Sequence, residues 1–226
     1  MEEHMARKLE IVDYNPDWKK YFKEESKKIK DILEKNNRGI HHIGSTSVKG
    51  MKAVPVIDMM VVVKDISLVR GQLSKFDALG YRFENENEEL VFTKEGNPVG
   101  FKLYVYEEKQ KLVTSKHLAM RAYLQGHPEE AKEYGDLKSH LAEEGNDPED
   151  YKTGKDAYLK DLEKKASEWT ESQMQQGNYT SMGMCMGMAI GMAIGSAFGN
   201  MTTGMCMGLA VGVCIGTAIG ASKAKK

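Results

Sequence analysis

Between Gly183 and Gly220 glycine returns at every fourth position, twice over. The segments "GMCMGMAIGMAIGSAFG" (183–199) and "GMCMGLAVGVCIGTAIG" (204–220) are near-copies offset by 21 residues. A period of four is close to the 3.6 of an α-helix, so each arm places its glycines on one stripe. Five glycines per helix cost on the order of 5 kcal/mol in propensity, a loss that only close approach of two backbones would offset. The repeat therefore predicts a helical hairpin closing around "NMTT" and packed through its glycines. Each arm of 17 residues would span roughly 26 Å, a little short of a ~30 Å hydrocarbon core. Three readings stay open. A membrane-associated hairpin fits the absence of charge and the terminal lysines, which would stay on the cytoplasmic side. A soluble glycine zipper would pack on itself or oligomerise through its Met, Ala, Ile and Val surface. Low-complexity disorder is the third, and the regular period argues against it.

No Asp, Glu, Lys or Arg occurs between Glu171 and Lys223, so the charge of the chain lies in what precedes the repeat. Of the 32 basic residues, removing Lys223, Lys225 and Lys226 leaves 29 against 33 acidic ones. A mildly acidic body argues against duplex nucleic acid as a partner, since phosphate-backbone binding needs a basic surface. The cysteines, Cys185, Cys206 and Cys214, all lie in the repeat and offer no disulfide framework or zinc spacing to the body. The N-terminal "MEEHMARKLE" has acids and no apolar core, so it does not read as a secretory signal. A cytoplasmic body is the expectation.

Trp18, Tyr21, Phe22, Ile29, Ile32 and Leu33 recur at helical spacing within a Lys/Glu-rich stretch, predicting an amphipathic helix. "IHHI" (40–43) and "VPVIDMMVVV" (54–63) read as strands. A helix capped by Asp65 or Ser67 is expected to run to Gly80. Strands follow at "YRF" (81–83), "ELVFTK" (89–94) and "VGFKLYVY" (99–106), the last two joined by the turn "EGNP". Three helices are expected beyond Thr114, with Pro128 and Pro148 in first turns. The fold class is α+β: a mixed sheet flanked by helices.

The stretch "HHIGSTSVKG" (41–50) joins two strands and has the composition of an anion loop. Gly44 lets backbone approach a ligand, and Ser45, Thr46 and Ser47 offer hydroxyls beside backbone N–H groups. The spacing is not that of a Walker loop, and by composition alone a plain turn fits as well. Asp58 is more informative. It shares a strand face with Val56, Met60 and Val62, while Ile57, Met59 and Val61 point the other way. A carboxylate there must be paired, metal-bound or at an open strand end, because burying it alone costs roughly several kcal/mol. Arg121, Lys138 or backbone groups are the candidate partners that would satisfy it.

"HIGSTSV-x-G-x(4)-P-x-ID", followed by "HLAMRAYLQGHPEEAKEYGDLKSHLA" and "YKTGK", resembles the GrpB family over about Ile11 to Trp169. That resemblance implies a nucleotidyltransferase-like fold. It places Gly44, Ser45, Thr46 and Ser47 in a phosphate or nucleotide loop, with Lys52, Lys102 and Arg121 as further anion-binding groups and Asp58 as the catalytic carboxylate and metal ligand. The implied cofactor is Mg²⁺, with Glu107 as a distant candidate for a second ligand. His42, Lys138, Tyr151 and Lys155 are supporting residues. The chain departs from the expected pattern at Met60, where a second metal carboxylate would stand, at Lys49 and Val54, at Lys102-Leu103-Tyr104 and at Ala122. Anion binding survives those departures.

Residues His117 and His127 lack partners at metal spacing, and Glu84, Glu86, Glu88 and Glu89 read as a solvated charge run. The expected organisation is a GrpB-like domain over 1–171, a linker over 172–180, the glycine hairpin over 181–221 and a basic tail over 222–226. The leading functional expectation is a nucleotidyltransferase or a domain binding a nucleotide or other phosphorylated small molecule, carried on a tail that associates with a membrane or with itself. The alternative is a non-catalytic adaptor with a vestigial pocket.

Overall fold

The structure is a computed structural model and describes residues 10–86, 89–143, 148–197 and 199–224. It divides into two compact units, Met1–Ala166 and Ser167–Lys226.

In the first unit, α1 (Trp18–Leu33) is the expected amphipathic helix, burying Trp18, Ile29, Ile32 and Leu33. The sheet comprises β1 (Asn37–Ile43), β2 (Val56–Val63), β3 (Arg82–Glu86), β4 (Glu89–Lys94) and β5 (Gly100–Glu107), in the order β1-β2-β5-β4-β3. Only the β2–β5 pairing is parallel; the other three are antiparallel. Between β2 and β3, the single helix expected up to Gly80 is two short ones, α2 (Ile66–Arg70) and α3 (Leu73–Ala78). Asp65 caps the first through Ser67 N–H, and the break falls at Gly71-Gln72, where glycine weakens the helix. Helices α4 (Lys111–Gly126), α5 (Pro128–Glu143) and α6 (Pro148–Ala197) follow β5.

Alternation along β2 separates two environments. Ile57, Met59, Val61 and Val63 enter the main core with Trp18, Phe76, Phe92 and Leu103. On the other face, Met60 packs with Ile43 and Tyr106, against Val113 and Leu118 of α4. Asp58 belongs to this second face. The main core also encloses a carboxylate that its sequence context does not distinguish: Glu25, buried on α1, accepts hydrogen bonds from Lys28, Tyr81 and Lys94 at 2.9, 3.0 and 2.7 Å.

The second unit takes the rest of α6 and α7 (Met201–Ala224). Residues 172–180, expected as a linker, are helical within α6, a run with no proline to stop it. The chain reverses at Gly199, whose φ of +74° favours glycine. The glycine stripes then face each other. A Cβ on Gly187 would lie 2.2 Å from the Gly208 carbonyl oxygen and 2.8 Å from Gly212 Cα, and one on Gly191 2.2 Å from the Gly204 oxygen. Outside the contact, Met186, Ile190, Ile194, Met207, Val211 and Ile215 are all more than half exposed. Met201–Lys223 is long and apolar enough to cross a membrane, with mean hydropathy 1.8. The side chains of Glu86, Glu88 and Glu89, and Lys225 and Lys226 of the basic tail, lie outside the described residues.

Candidate functional site

The register of the sheet brings the loop onto the aspartate. Ile43, the last residue of β1, pairs with Asp58 of β2, so the next residue turns directly over the carboxylate. That residue must be glycine: Gly44 has φ +68°, and a Cβ there would fall 2.3 Å from Asp58 Oδ2. Residues Ser45–Ser47 continue as one 3₁₀ turn, closed by Ser47 N–H to Gly44 O at 3.1 Å.

The three hydroxyls of the turn have different tasks. Thr46 is buried and donates to Val56 O at 3.1 Å, so its oxygen accepts from His42 Nε2 at 3.0 Å. Burial, with the Arg121 charge nearby, pushes the His42 pKa down to about 4, and the ring stacks on Phe22. This neutral histidine locks the loop to the sheet. Ser47 turns back to Gly44 O at 2.6 Å. Ser45 instead accepts from Lys138 Nζ at 2.7 Å, which leaves its own proton to donate elsewhere.

Lys138 is the most heavily buried cation of the site, at 3% exposure. Its ammonium also donates to Lys52 O at 2.8 Å and lies 4.9 Å from the centre of the Tyr134 ring. Burial pushes its pKa down to about 8 despite the opposing pull of Asp58. α5 can come this close because Gly135 packs on Lys52, where a Cβ would meet the Lys52 nitrogen at 3.3 Å. The same unit recurs on α6, where Lys155 Nζ lies 5.8 Å from the Tyr151 ring centre. Two Tyr-x-x-x-Lys pairs, at helical i, i+4 spacing, thus converge from two helices.

Together these elements line a recess of ≈ 530 Å³ on the second face of the sheet. Gly44, Ser45, Thr46 and Asp58 line it, as do Arg121, Lys138, Tyr151 and Lys155. So do Tyr106, Lys116 and Tyr134, which the sequence does not single out, and Tyr104 and His117, to which it gives no ligand role; the alternation of β5 puts Tyr104 and Tyr106 on the face of Lys102. Arg121 donates to His42 O at 2.8 Å, and its buried Nε has no partner among the described residues. Lys102 stands beside Asp58 in the parallel register of β5. Of the expected residues, His42, Ser47, Lys52, Lys102 and Glu107 do not line the recess. Lys52 turns its ammonium to Asp136 at 3.0 Å. Glu107 lies five positions beyond Lys102, opposite Val63, and bonds Ile66 N–H and Lys109.

Burial pushes the Asp58 pKa up to about 6, against the opposing pull of Lys102, Lys155 and Lys138. None of the three reaches it by a hydrogen bond. This surrounding does not fit a divalent metal. No group of three His, Cys, Asp or Glu that could hold one occurs among the described residues, and the position of a second carboxylate is Met60, fully buried in apolar contacts. The arrangement suits an anion.

The family model described as GrpB protein matches residues 8–165. UPF0157 protein YqkA of Bacillus subtilis is 37% identical over 171 residues, covering 74% of this chain and 50% of YqkA. UPF0157 protein PA4798 of Pseudomonas aeruginosa is 30% identical over 154 residues, covering 66% of this chain and 64% of that protein. The chain thus spans between half and two thirds of the length of these curated relatives. The crystal structure of conserved protein GrpB from Enterococcus faecalis is similar at a TM-score of 0.66 and 33% identity, over 70% of this chain and 96% of that one.

Proposed function

The chain belongs to the GrpB family, and from that premise we propose that its first unit binds a nucleotide or another phosphorylated small molecule in the recess beside Ser45. The observation that carries this reading is Lys138. A buried ammonium is costly, and here it is held by the loop hydroxyl and a loop carbonyl, with Lys155, Lys116 and Arg121 lining the same cavity. Cations gathered at that cost suit phosphate oxygens, and the tyrosines suit a base or other ring. The volume lies in the range of small-molecule sites.

Calorimetry with ATP and UTP tests the reading. Binding should fall at least about tenfold in Lys138→Met and less in Ser45→Ala, the loss expected for a charged against a neutral hydrogen-bond partner. Equal binding by wild type and both variants, or none by any, contradicts it.

For the hairpin, the apolar exterior favours association with a membrane or with a second hairpin. The first unit would then work on the cytoplasmic side of the surface to which the second holds it.

A further inference from the structure

Asp58 lines the recess with no hydrogen bond among the described residues and lies within the fields of Lys102, Lys138 and Lys155. We infer that this carboxylate is an internal counter-charge to a lysine cradle, and that the recess takes its phosphate ligand without a divalent metal. The inference rests on the phosphate-binding reading above and adds what neutralises the ligand.

Mg²⁺ at a phosphate site is held by one or two carboxylates together with water and phosphate oxygens, and ammonium groups packed around a single carboxylate would repel it. Here one carboxylate is set among three lysines, and the adjacent inward position, Met60, is closed by packing against Ile43 and Tyr106. Of these lysines, Lys138 and Lys155 line the recess, and with Lys116 and Arg121 they supply the positive charge that Mg²⁺ would supply to a phosphate. Asp58 relieves part of their mutual repulsion in the recess, although burial costs the carboxylate more than the lysines return. It sits beside Lys102 in the sheet register and counters the burial that draws charge off Lys138. Gly44 fixes the spacing, since its missing Cβ lets the loop lie against Asp58 Oδ2 and carries Ser45 to Lys138. A phosphate entering between Ser45 and Lys155 meets the cradle and also the carboxylate. Asp58 therefore opposes the anion that the lysines attract.

Sign separates this from a metal site. If Asp58 held Mg²⁺, removing its charge would abolish binding. If it is the counter-charge, removing it tightens binding. The experiment is a calorimetric titration of the full chain, wild type and Asp58→Asn, with ATP and with inorganic pyrophosphate, in EDTA and in excess Mg²⁺. Pyrophosphate separates phosphate recognition from base recognition. The expected result is binding of both probes in EDTA, no weaker than in Mg²⁺, and at least about threefold tighter in Asp58→Asn, as removal of one like charge several ångströms away implies. Binding that requires Mg²⁺ and disappears in Asp58→Asn overturns the inference and leaves the phosphate-binding reading standing. No binding of either probe under either condition overturns both.

Discussion

Asp58 illustrates how a single side chain can lower stability while it supports a site. Its pKa is raised by burial from 3.8 to about 6, so the folded protein holds a proton that the unfolded chain releases between those values. Stability is therefore greatest below pH 4 as far as this group is concerned, and its contribution is lost as pH rises through 6. The shift corresponds to on the order of 3 kcal/mol. Asp58→Asn should raise the melting temperature at pH 7 and flatten the stability profile between pH 4 and 6, read by thermal denaturation across pH. A destabilised variant at pH 7 would instead make Asp58 an ion-pair partner. Lys138 has the opposite pattern: its lowered pKa of about 8 means that its contribution is present above pH 10.5 and lost as pH falls through 8. At this scale the sequence was informative where chemistry is local. An aspartate in the apolar run of β2 marks an unusual environment, and Gly44 before three hydroxyl residues marks a loop. The use of Thr46 to lock His42, and of Lys52 to bind Asp136, depends on which neighbours the fold supplies.

Elements were legible to the extent that one period governed them. Strand Glu89–Lys94 has the bounds its alternation predicts. β1 begins three residues before "IHHI", at Asn37, because Arg38 and Gly39 carry no apolar alternation to extend the pattern backwards. The helix before Gly80 is broken where propensity is weakest, and residues 172–180 are helical where polarity suggested a linker. Tyr151 and Lys155 were visible in "YKTGK", but nothing in sequence showed that Tyr134 and Lys138 repeat the pair or that α5 and α6 turn the same face to one cavity. The glycine arms were the most legible, since a Cβ on almost any inward glycine would strike backbone. Gly191→Leu should force the helices apart, because its Cβ alone would fall 2.2 Å from the Gly204 oxygen. Far-UV circular dichroism and cysteine cross-linking between Cys185 and an introduced cysteine on α7 should both report the loss. Unchanged helicity and cross-linking would show that the stripe does not hold the hairpin.

For the whole molecule, the division at Ala166 separates a phosphate-binding reading from an association reading, and each can fail alone. Fractionation should place the full chain with membranes or in oligomers, and a chain cut after Trp169 in the soluble fraction as a folded monomer. A full-length chain that is monomeric and soluble would remove any role for the apolar exterior of the hairpin. The central claim concerns the first unit. A crystal structure of the chain grown with ATP in EDTA tests it most directly. Phosphate oxygens are expected within hydrogen-bond distance of Ser45 Oγ and Lys155 Nζ, with no metal against Asp58. Nucleotide bound elsewhere, with the recess holding only water, would contradict it.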